Sequence, residues 1–508
     1  MPTTFTAESP APAHRWIQND YAEPDLFLMA DDTLIEEADN AQFHLCPLEK
    51  EPKPIMLPTE TWEGGDGKST FAVHQDPIDG SVVYDAQNEQ YVMWYRTHNR
   101  LITPSSGSVV CMATSKDGLN WEKPALRQVF WNGSYENNML RVDVEPIQRQ
   151  HLSGVLPNYL EGQSGLVATV YSTFDDDIYP YGITQLYSED GVIWEPHFPP
   201  TIPLDRDANC LMWDSRRKCY LCTTRSEQQQ RVIHRLQISQ GLHHLTNKRH
   251  VALAKSRDLL HWTPMITILE ADDRDPENAQ MYYMYIIPYG RHYLGFVQMF
   301  YMADGMTFGP LDMHLAISDD GETWRRAGDK WGERTPFIPR GEAGTWDCSH
   351  ISQHSTPPFP IGAQGERLRF WYGGKDTEHW QAGNTAVGTG TLRRDGFACW
   401  EAGAEGGTIT TRPLQMKWAT RPSINVNATN GEVRVEILQE NGEPLEGCSA
   451  AQCTPITGDH IRAVLHWPGQ RDSFVRHAGK VRVRFHLKNA KIYAAKLPRL
   501  EAENDDIN

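Results

Sequence analysis

No stretch of this 508-residue chain approaches the roughly 20 consecutive apolar residues of a membrane-crossing helix. The amino-terminal MPTTFTAESPAPAHRWIQND lacks the apolar centre of a secretory signal. The expectation is therefore a cytoplasmic protein whose mature chain starts near Met1. Positive charge is also short: 48 Lys and Arg face 66 Asp and Glu, a formal net charge of -18. Nucleic acids and anionic membranes recruit proteins chiefly through Lys and Arg, so neither is an expected partner, whereas a small neutral or cationic ligand is. The nine cysteines are odd in number and scattered, which argues for reduced thiols against a disulfide framework. Cys219 and Cys222 have CxxC spacing, but in the strand-like KCYLCTTR they would point to opposite faces. A structural role is expected for both, ahead of zinc or redox chemistry.

What the chain does have is aromatics and turn formers: 16 Trp, 19 Tyr and 16 Phe with 39 Gly and 33 Pro, as short strands joined by many turns require. One signature recurs. Ser115-Lys116-Asp117-Gly118-Leu119-Asn120-Trp121 returns as Ser188 to Trp194, Ser256 to Trp262 and Ser318 to Trp324. A degenerate fifth copy runs through Asp395-Gly396, with Trp400 one place late. A period of this size is too long for a hairpin array and suits a four-stranded blade. An aromatic strand precedes each copy, as in YDAQNEQYVMWYR (84–96) and YGRHYLGFVQMFY (289–301). The fold class is thus all-β, a five-bladed β-propeller followed by a C-terminal β-sandwich.

The repeated Asp is read as scaffold, since it can accept its own turn amides while Gly supplies positive φ and Trp packs between blades. One catalytic centre has no use for the same residue once per blade. The motif resembles the Asp-box of sialidases but lacks the residue between Asp and Gly. After the fifth copy the texture changes to alternating segments such as GEVRVEILQENGEPLEG (431–447) and KVRVRFHLKNAKIYAAKL (480–497), without further Asp-Gly-Trp turns. The expected domains are an extension packing on the propeller over 1–60, the propeller over 61–400, the sandwich over 401–500 as a brace, and an acidic tail over 501–508.

The five units, the SxDGxxW turns, RRDGFACWEAG after the fifth unit and the tail GEVRVEIL…GD…RFHLKNAKIY together resemble bacterial propeller proteins related to the fructan, sucrose and arabinan hydrolases. The resemblance spans nearly the whole chain beyond the first sixty residues and lies mostly in fold markers. It implies a glycosidase whose site lies in the axial funnel, at the starts of the innermost strands. Glycoside hydrolysis there takes two carboxylates flanking the scissile bond, one an acid and the other a nucleophile or base.

Blade one offers His74, Asp76 and Asp79 before SVVYD. The resemblance implies an Asp-Pro nucleophile or base, so Asp76 takes that role and His74 and Asp79 contact substrate; a loop that only shapes a turn is equally compatible. Blade two offers Asp143 and Glu145 with less weight, and blade three offers Asp207 before CLMW. In blade four, Arg274-Asp275-Pro276 is similar to the transition-state-stabilising segment of fructan hydrolases, though that family carries it in the second blade. Arg274 and Asp275 are therefore read as sugar contacts and Glu277 as the further catalytic carboxylate. Blade five offers Trp346, Asp347 and His350, with His379 beyond the next strand. His350, His354 and His379 could hold a metal, but polar residues lining a wet funnel are commoner, so no metal and no cofactor are expected. The expected partner is a small carbohydrate, a glycoside or oligosaccharide attacked from its end, and a homo-oligomer is compatible. A non-catalytic sugar-binding propeller, or a transferase or phosphorylase with Arg274 and Arg340 near phosphate, are the alternatives.

Overall fold

The computed structural model describes residues 15–64, 79–99, 108–142, 152–172, 182–197, 201–203, 209–226, 249–303, 308–379, 381–416, 419–420, 422–469, 474–475, 479–497 and 500–501. Apart from one 3-10 turn at Thr61–Glu63, the regular structure among them is all β. Five antiparallel strand groups succeed one another, the last two joined in one ten-stranded sheet by a parallel pairing of Leu311 with His350, and each is entered through an innermost strand: Gly80–Asp85, Leu152–Pro157, Asn209–Asp214, Ala279–Gly290 and His350–Gln353. Each pairs with a middle strand, respectively Gln90–His98, Leu166–Ser172, Cys219–Ser226, His292–Tyr301 and Arg367–Lys375. The middle strands are almost continuously apolar, because a blade packed between two neighbours buries both faces.

Hydrogen bonds between successive sheets close the ring. Ser81 Oγ accepts from the Val155 amide at 3.0 Å, joining blades one and two. Thr169 Oγ1 donates to Asn209 Oδ1 at 2.8 Å between two and three, and Thr223 Oγ1 to the Met284 carbonyl between three and four. Tyr283 OH donates to the Gln353 carbonyl at 2.9 Å between four and five, and the Ser355 amide reaches the Gly80 carbonyl at 2.8 Å, returning to blade one. The outermost strand of blade five is Glu49–Lys50, which precedes blade one in the chain and pairs with Thr385–Arg393. Lys50 adds a 2.6 Å ion pair to buried Asp347.

The recurring turns behave as the sequence implies. In each of the first four, the Ser hydroxyl accepts the amide three residues on, and one Asp oxygen accepts the two amides that follow. Leu259 occupies the left-handed position elsewhere filled by Gly, at φ +66°. The turns also join blades: Trp371 Nε1 of blade five donates to the Gly118 carbonyl at 2.9 Å, and Trp94 of blade one to Gly191 at 2.7 Å. The turn's own tryptophan then packs edge-on against that neighbour, Trp121 on Trp371 and Trp194 on Trp94. In the fifth copy Asp395 is diverted to the domain junction, where it accepts from Tyr289 OH at 2.8 Å and pairs with Arg462 of the C-terminal sheet.

The C-terminal residues form most of an eleven-stranded sheet built on the long strands Ser423–Gln439, Gly479–Lys488 and Ala490–Lys496. The amino-terminal segment does more than lie on the propeller. Leu26–Leu28 pairs with Ala490–Lys496, Ile35–Asp39 with Gly407–Thr411, and Gln42–Leu45 with Ala398–Ala402. One apolar core runs from blades three to five into this domain through Phe296, Phe337, Phe370, Phe397 and Trp400.

Two outcomes test this architecture. Gly154 has φ +61°, and a Cβ there would lie 2.5 Å from the Leu211 backbone, while Gly162, at φ +75°, has open space around its Cβ position. Gly154→Ala should therefore lower the urea midpoint well beyond the ~1 kcal/mol of left-handed strain expected from Gly162→Ala. The second outcome concerns pH. The turn amides of Asn120 and Leu119 hold Asp117 below its ordinary value; at Asp190, Asp258 and Asp320 burial raises the carboxyl, but the turn hydrogen bonds together outweigh it. Depressed folded-state values mean that the stabilisation is present above the unfolded pKa of about 3.9 and lost as pH falls through the folded values. Denaturation across the pH range should show stability falling below about pH 4, with a shallower fall in Asp258→Asn.

Candidate functional site

The funnel-side ends of the blades are where the innermost strands start and the middle strands finish. Asp79 stands immediately before the blade-one inner strand, and Arg96 lies on the middle strand beside it. Arg96 Nε and Nη2 donate to the two Asp79 oxygens, both at 3.0 Å, and the Arg96 amide also bonds the Asp79 carbonyl. A bidentate fork of this kind fixes a carboxylate in plane as well as in charge. The pair keeps access to solvent, with 25% of the Asp79 side chain and 11% of the Arg96 side chain exposed.

Facing it are Cys210 of blade three, Tyr283 of blade four and Ser352 of blade five. Tyr283 OH lies 3.1 Å from Ser352 Oγ. Burial drives the Cys210 thiol up to about 12; Ser355 opposes this by hydrogen bonding, and the Asp79 charge adds to it. Burial likewise raises the Tyr283 phenol, Cys210 and Asp79 adding to it while the Ser352 hydrogen bond and Arg96 oppose it. Cys210 Sγ meets Ser355 Oγ at 3.3 Å. Because blades three and five are not neighbours in the ring, this contact crosses the axis near Asp79.

A second group lines the side of blades three to five. Tyr282 OH is 3.2 Å from His379 Nε2, and the His379 ring is 5.7 Å from that of His350 and 5.1 Å from Phe300. The guanidinium of Arg225 lies over Tyr282 at 5.1 Å, and that of Arg249 over Phe300 at 5.1 Å and Tyr282 at 5.6 Å. Arg249 Nη1 donates to Gln280 Oε1 at 2.8 Å. Arg225, Arg249 and Tyr282 were not anticipated from sequence; Arg225 lies next to the end of Cys219–Ser226, Arg249 just before His250–Ser256 and Tyr282 near the start of Ala279–Gly290. No three-residue metal-ligand group gathers around these histidines among the described residues.

The expected residues thus divide. Asp79, His350 and His379 face this region, whereas His74, Asp76 and Asp207 lie outside the described residues. Glu277 is exposed in the loop before Ala279–Gly290. Arg274 turns to Asp329 at 2.9 Å, and Arg340 is paired with Asp312. Asp275 is occupied by two guanidinium groups, Arg326 at 3.0 Å and Arg334 at 3.1 Å. Arg326 also donates to Nδ1 of His314, which places the ring proton on Nε2, facing Asp312 and Tyr301. Burial lowers the pKa of His314, with Arg326 reinforcing it against Asp312. The Arg-Asp-Pro tripeptide is therefore part of an ion-pair network in blade four, buried at Asp275 and exposed at Arg274, and both residues have protein partners where sugar contacts were expected. Trp346 stacks on Tyr372 at 5.7 Å and fills the space above Gly374 and Gly388, and Asp347 serves Lys50, Tyr372 and Thr345. Both build blade five where sugar contacts were expected.

Cys219 and Cys222 are buried in separate apolar clusters, as opposite strand faces require. At the other end of the blades lies a cavity of about 550 Å³ lined by Trp16, Gln18, Asn158, Tyr159 and Glu161, adjoined by one of about 100 Å³ beside Asp20 and Trp213. Each has a single carboxylate in its lining, so neither supplies the pair that hydrolysis takes.

No protein-family model and no curated relative matches the chain. Among solved structures it is similar to an α-L-arabinanase of Penicillium chrysogenum, at 10% identity and TM-score 0.37, over 68% of this chain and 98% of that one. It is similar to a β-1,2-mannobiose phosphorylase from Listeria innocua at 10% and 0.42, over 68% and 97%. A Bombyx mori β-fructofuranosidase aligns at 12% and 0.37, over 84% and 91%. Likeness at this level assigns neither a reaction nor a substrate to the chain.

Arg326→Met should cost about 3–5 kcal/mol in chemical denaturation, because it leaves buried Asp275 with one of its two partners. Arg274→Ala, at an exposed pair, should cost no more than about 1 kcal/mol.

Proposed function

We propose that this protein is a carbohydrate-active enzyme, a glycosidase that attacks a small glycoside or oligosaccharide from its end within the axial funnel. The observation that carries the proposal is the Asp79–Arg96 pair held near the contact that crosses the axis, with hydroxyl, imidazole and aromatic groups around it. As an anion fixed in plane, Asp79 accepts hydrogen bonds from sugar hydroxyls and orients the glycone. Tyr282 and Phe300 offer faces for the apolar side of a sugar ring, and His350 and His379 exchange hydrogen bonds with its hydroxyls. The acid and the nucleophile or base are assigned to Asp76 and Asp207, with Glu277 as a further carboxylate. The location proposed for the protein is the cytoplasm.

Phosphorolysis is the second reading, favoured by one observation: Arg225 and Arg249 converge on Tyr282 beside His379, a grouping suited to an anion next to the sugar. In that case phosphate takes the place of water as the attacking group on the same carbon, and a sugar phosphate is released.

Aryl glycosides and natural oligosaccharides, each with and without inorganic phosphate, would be incubated with the native protein and with Asp76→Asn, Asp207→Asn, Glu277→Gln and Asp79→Asn. Phosphate-independent cleavage is expected, reduced at least about 10²-fold in kcat by loss of an acid or base. Asp79→Asn should chiefly raise KM. Strict dependence on phosphate would select the second reading. Sugar binding without any cleavage would leave a binding protein and end both.

A further inference from the structure

Away from the funnel, three side chains from separate segments meet where the amino-terminal strap crosses blade four. Asp31 follows Leu26–Leu28, which pairs with the C-terminal sheet; His292 begins the middle strand of blade four; and Asp319 opens the turn after its third strand. A carboxylate oxygen from each Asp and a ring nitrogen of His292 lie within 4.8 Å of one another. We propose that Asp31, His292 and Asp319 form a divalent-cation site that staples the strap, and with it the C-terminal sheet, to blade four.

The arrangement of protons and lone pairs carries this. Asp31 Oδ1 is fully engaged, accepting from the Thr33 amide at 3.1 Å, Thr33 Oγ1 at 2.7 Å and Arg325 Nη2 at 2.6 Å. Its other oxygen, Oδ2, is buried without a partner, and so is Nε2 of His292. Only 1% of either side chain is exposed. Of these two atoms, Asp31 Oδ2 is the one that calls for a ligand beside Asp319, since nearly all buried polar groups are satisfied in folded proteins. Arg325 approaches the oxygens that are already taken, Asp31 Oδ1 and, at 3.4 Å, Asp319 Oδ2. Asp31 Oδ2 remains open for the ion; Asp319 Oδ1, hydrogen-bonded to His292 Nδ1 at 2.9 Å, joins it once the shared proton is displaced, with the guanidinium orienting both carboxylates from behind.

His292 Nδ1 stands 2.9 Å from Asp319 Oδ1, close to the separation of adjacent ligands around an ion with bonds of about 2.1 Å. One imidazole and two carboxylates suit Zn²⁺ or Mn²⁺ better than Ca²⁺, which takes oxygen ligands in larger number. Asp319, 52% exposed, gives the ion a way in.

The test uses full-length protein stripped with EDTA and titrated by calorimetry with Zn²⁺ and, separately, Mn²⁺, with thermal midpoints recorded alongside. One tight site is expected, raising the midpoint by several degrees. Asp319→Asn, a change at a half-exposed side chain, should weaken that site at least about ten-fold, and His292→Gln should do the same. Glycoside cleavage should persist in Asp319→Asn, so failure of this site leaves the funnel assignment untouched. Absence of any cation-dependent midpoint shift, or equal affinity in the native protein and Asp319→Asn, would overturn the proposal and leave an ion-pair cluster completed by water.

Discussion

A ring of sheets keeps its axis only if its last blade is bonded to its first, and in this chain the bond is made twice. On the inside, the Ser355 amide and the Thr356 hydroxyl donate to the carbonyls of Gly80 and Val82. On the outside, Glu49–Lys50 completes blade five from a position earlier in the chain than blade one, and the Lys50–Asp347 ion pair pins it. Asp79 sits next to that seam. The bidentate geometry of Asp79 with Arg96 therefore depends on closure of the ring, because Gly80 is both its neighbour in sequence and the acceptor for blade five.

Much of the fold was legible because its markers are local. A turn in which Ser and Asp accept their own amides and Gly or Leu takes positive φ is specified within seven residues, so four copies could be read directly. The exchange of tryptophans between blades was half legible: each turn's Trp was recognised as interblade packing, but its partner on the preceding blade's middle strand was not. What sequence could not reveal depended on distant pairing. Leu26–Leu28 meets Lys496, and Ile35–Asp39 meets Gly407–Thr411, several hundred residues away. These strands are too short to announce themselves by alternation. Asp395 kept its Asp-Gly pair while its surroundings turned it into a domain joint.

The site was legible in proportion to the same rule. Asp79 and His350 were legible as candidates because an innermost strand start is a place, and places can be counted from the repeat, whereas His379 follows the middle strand Arg367–Lys375. The partners of Asp275 were not legible, because a tripeptide does not reveal that Arg326 and Arg334, more than fifty residues on, will occupy its carboxylate. Arg225 and Arg249 were overlooked because, in a chain of net charge -18, isolated arginines at strand ends look like solubilising residues. Only the ring shows that they converge on Tyr282.

The contact between Cys210 and Ser355 carries a consequence for traffic. No ligand chain can be drawn along the axis past that contact. If the funnel cuts a glycoside, both fragments share one exit, and the product competes with the substrate for it.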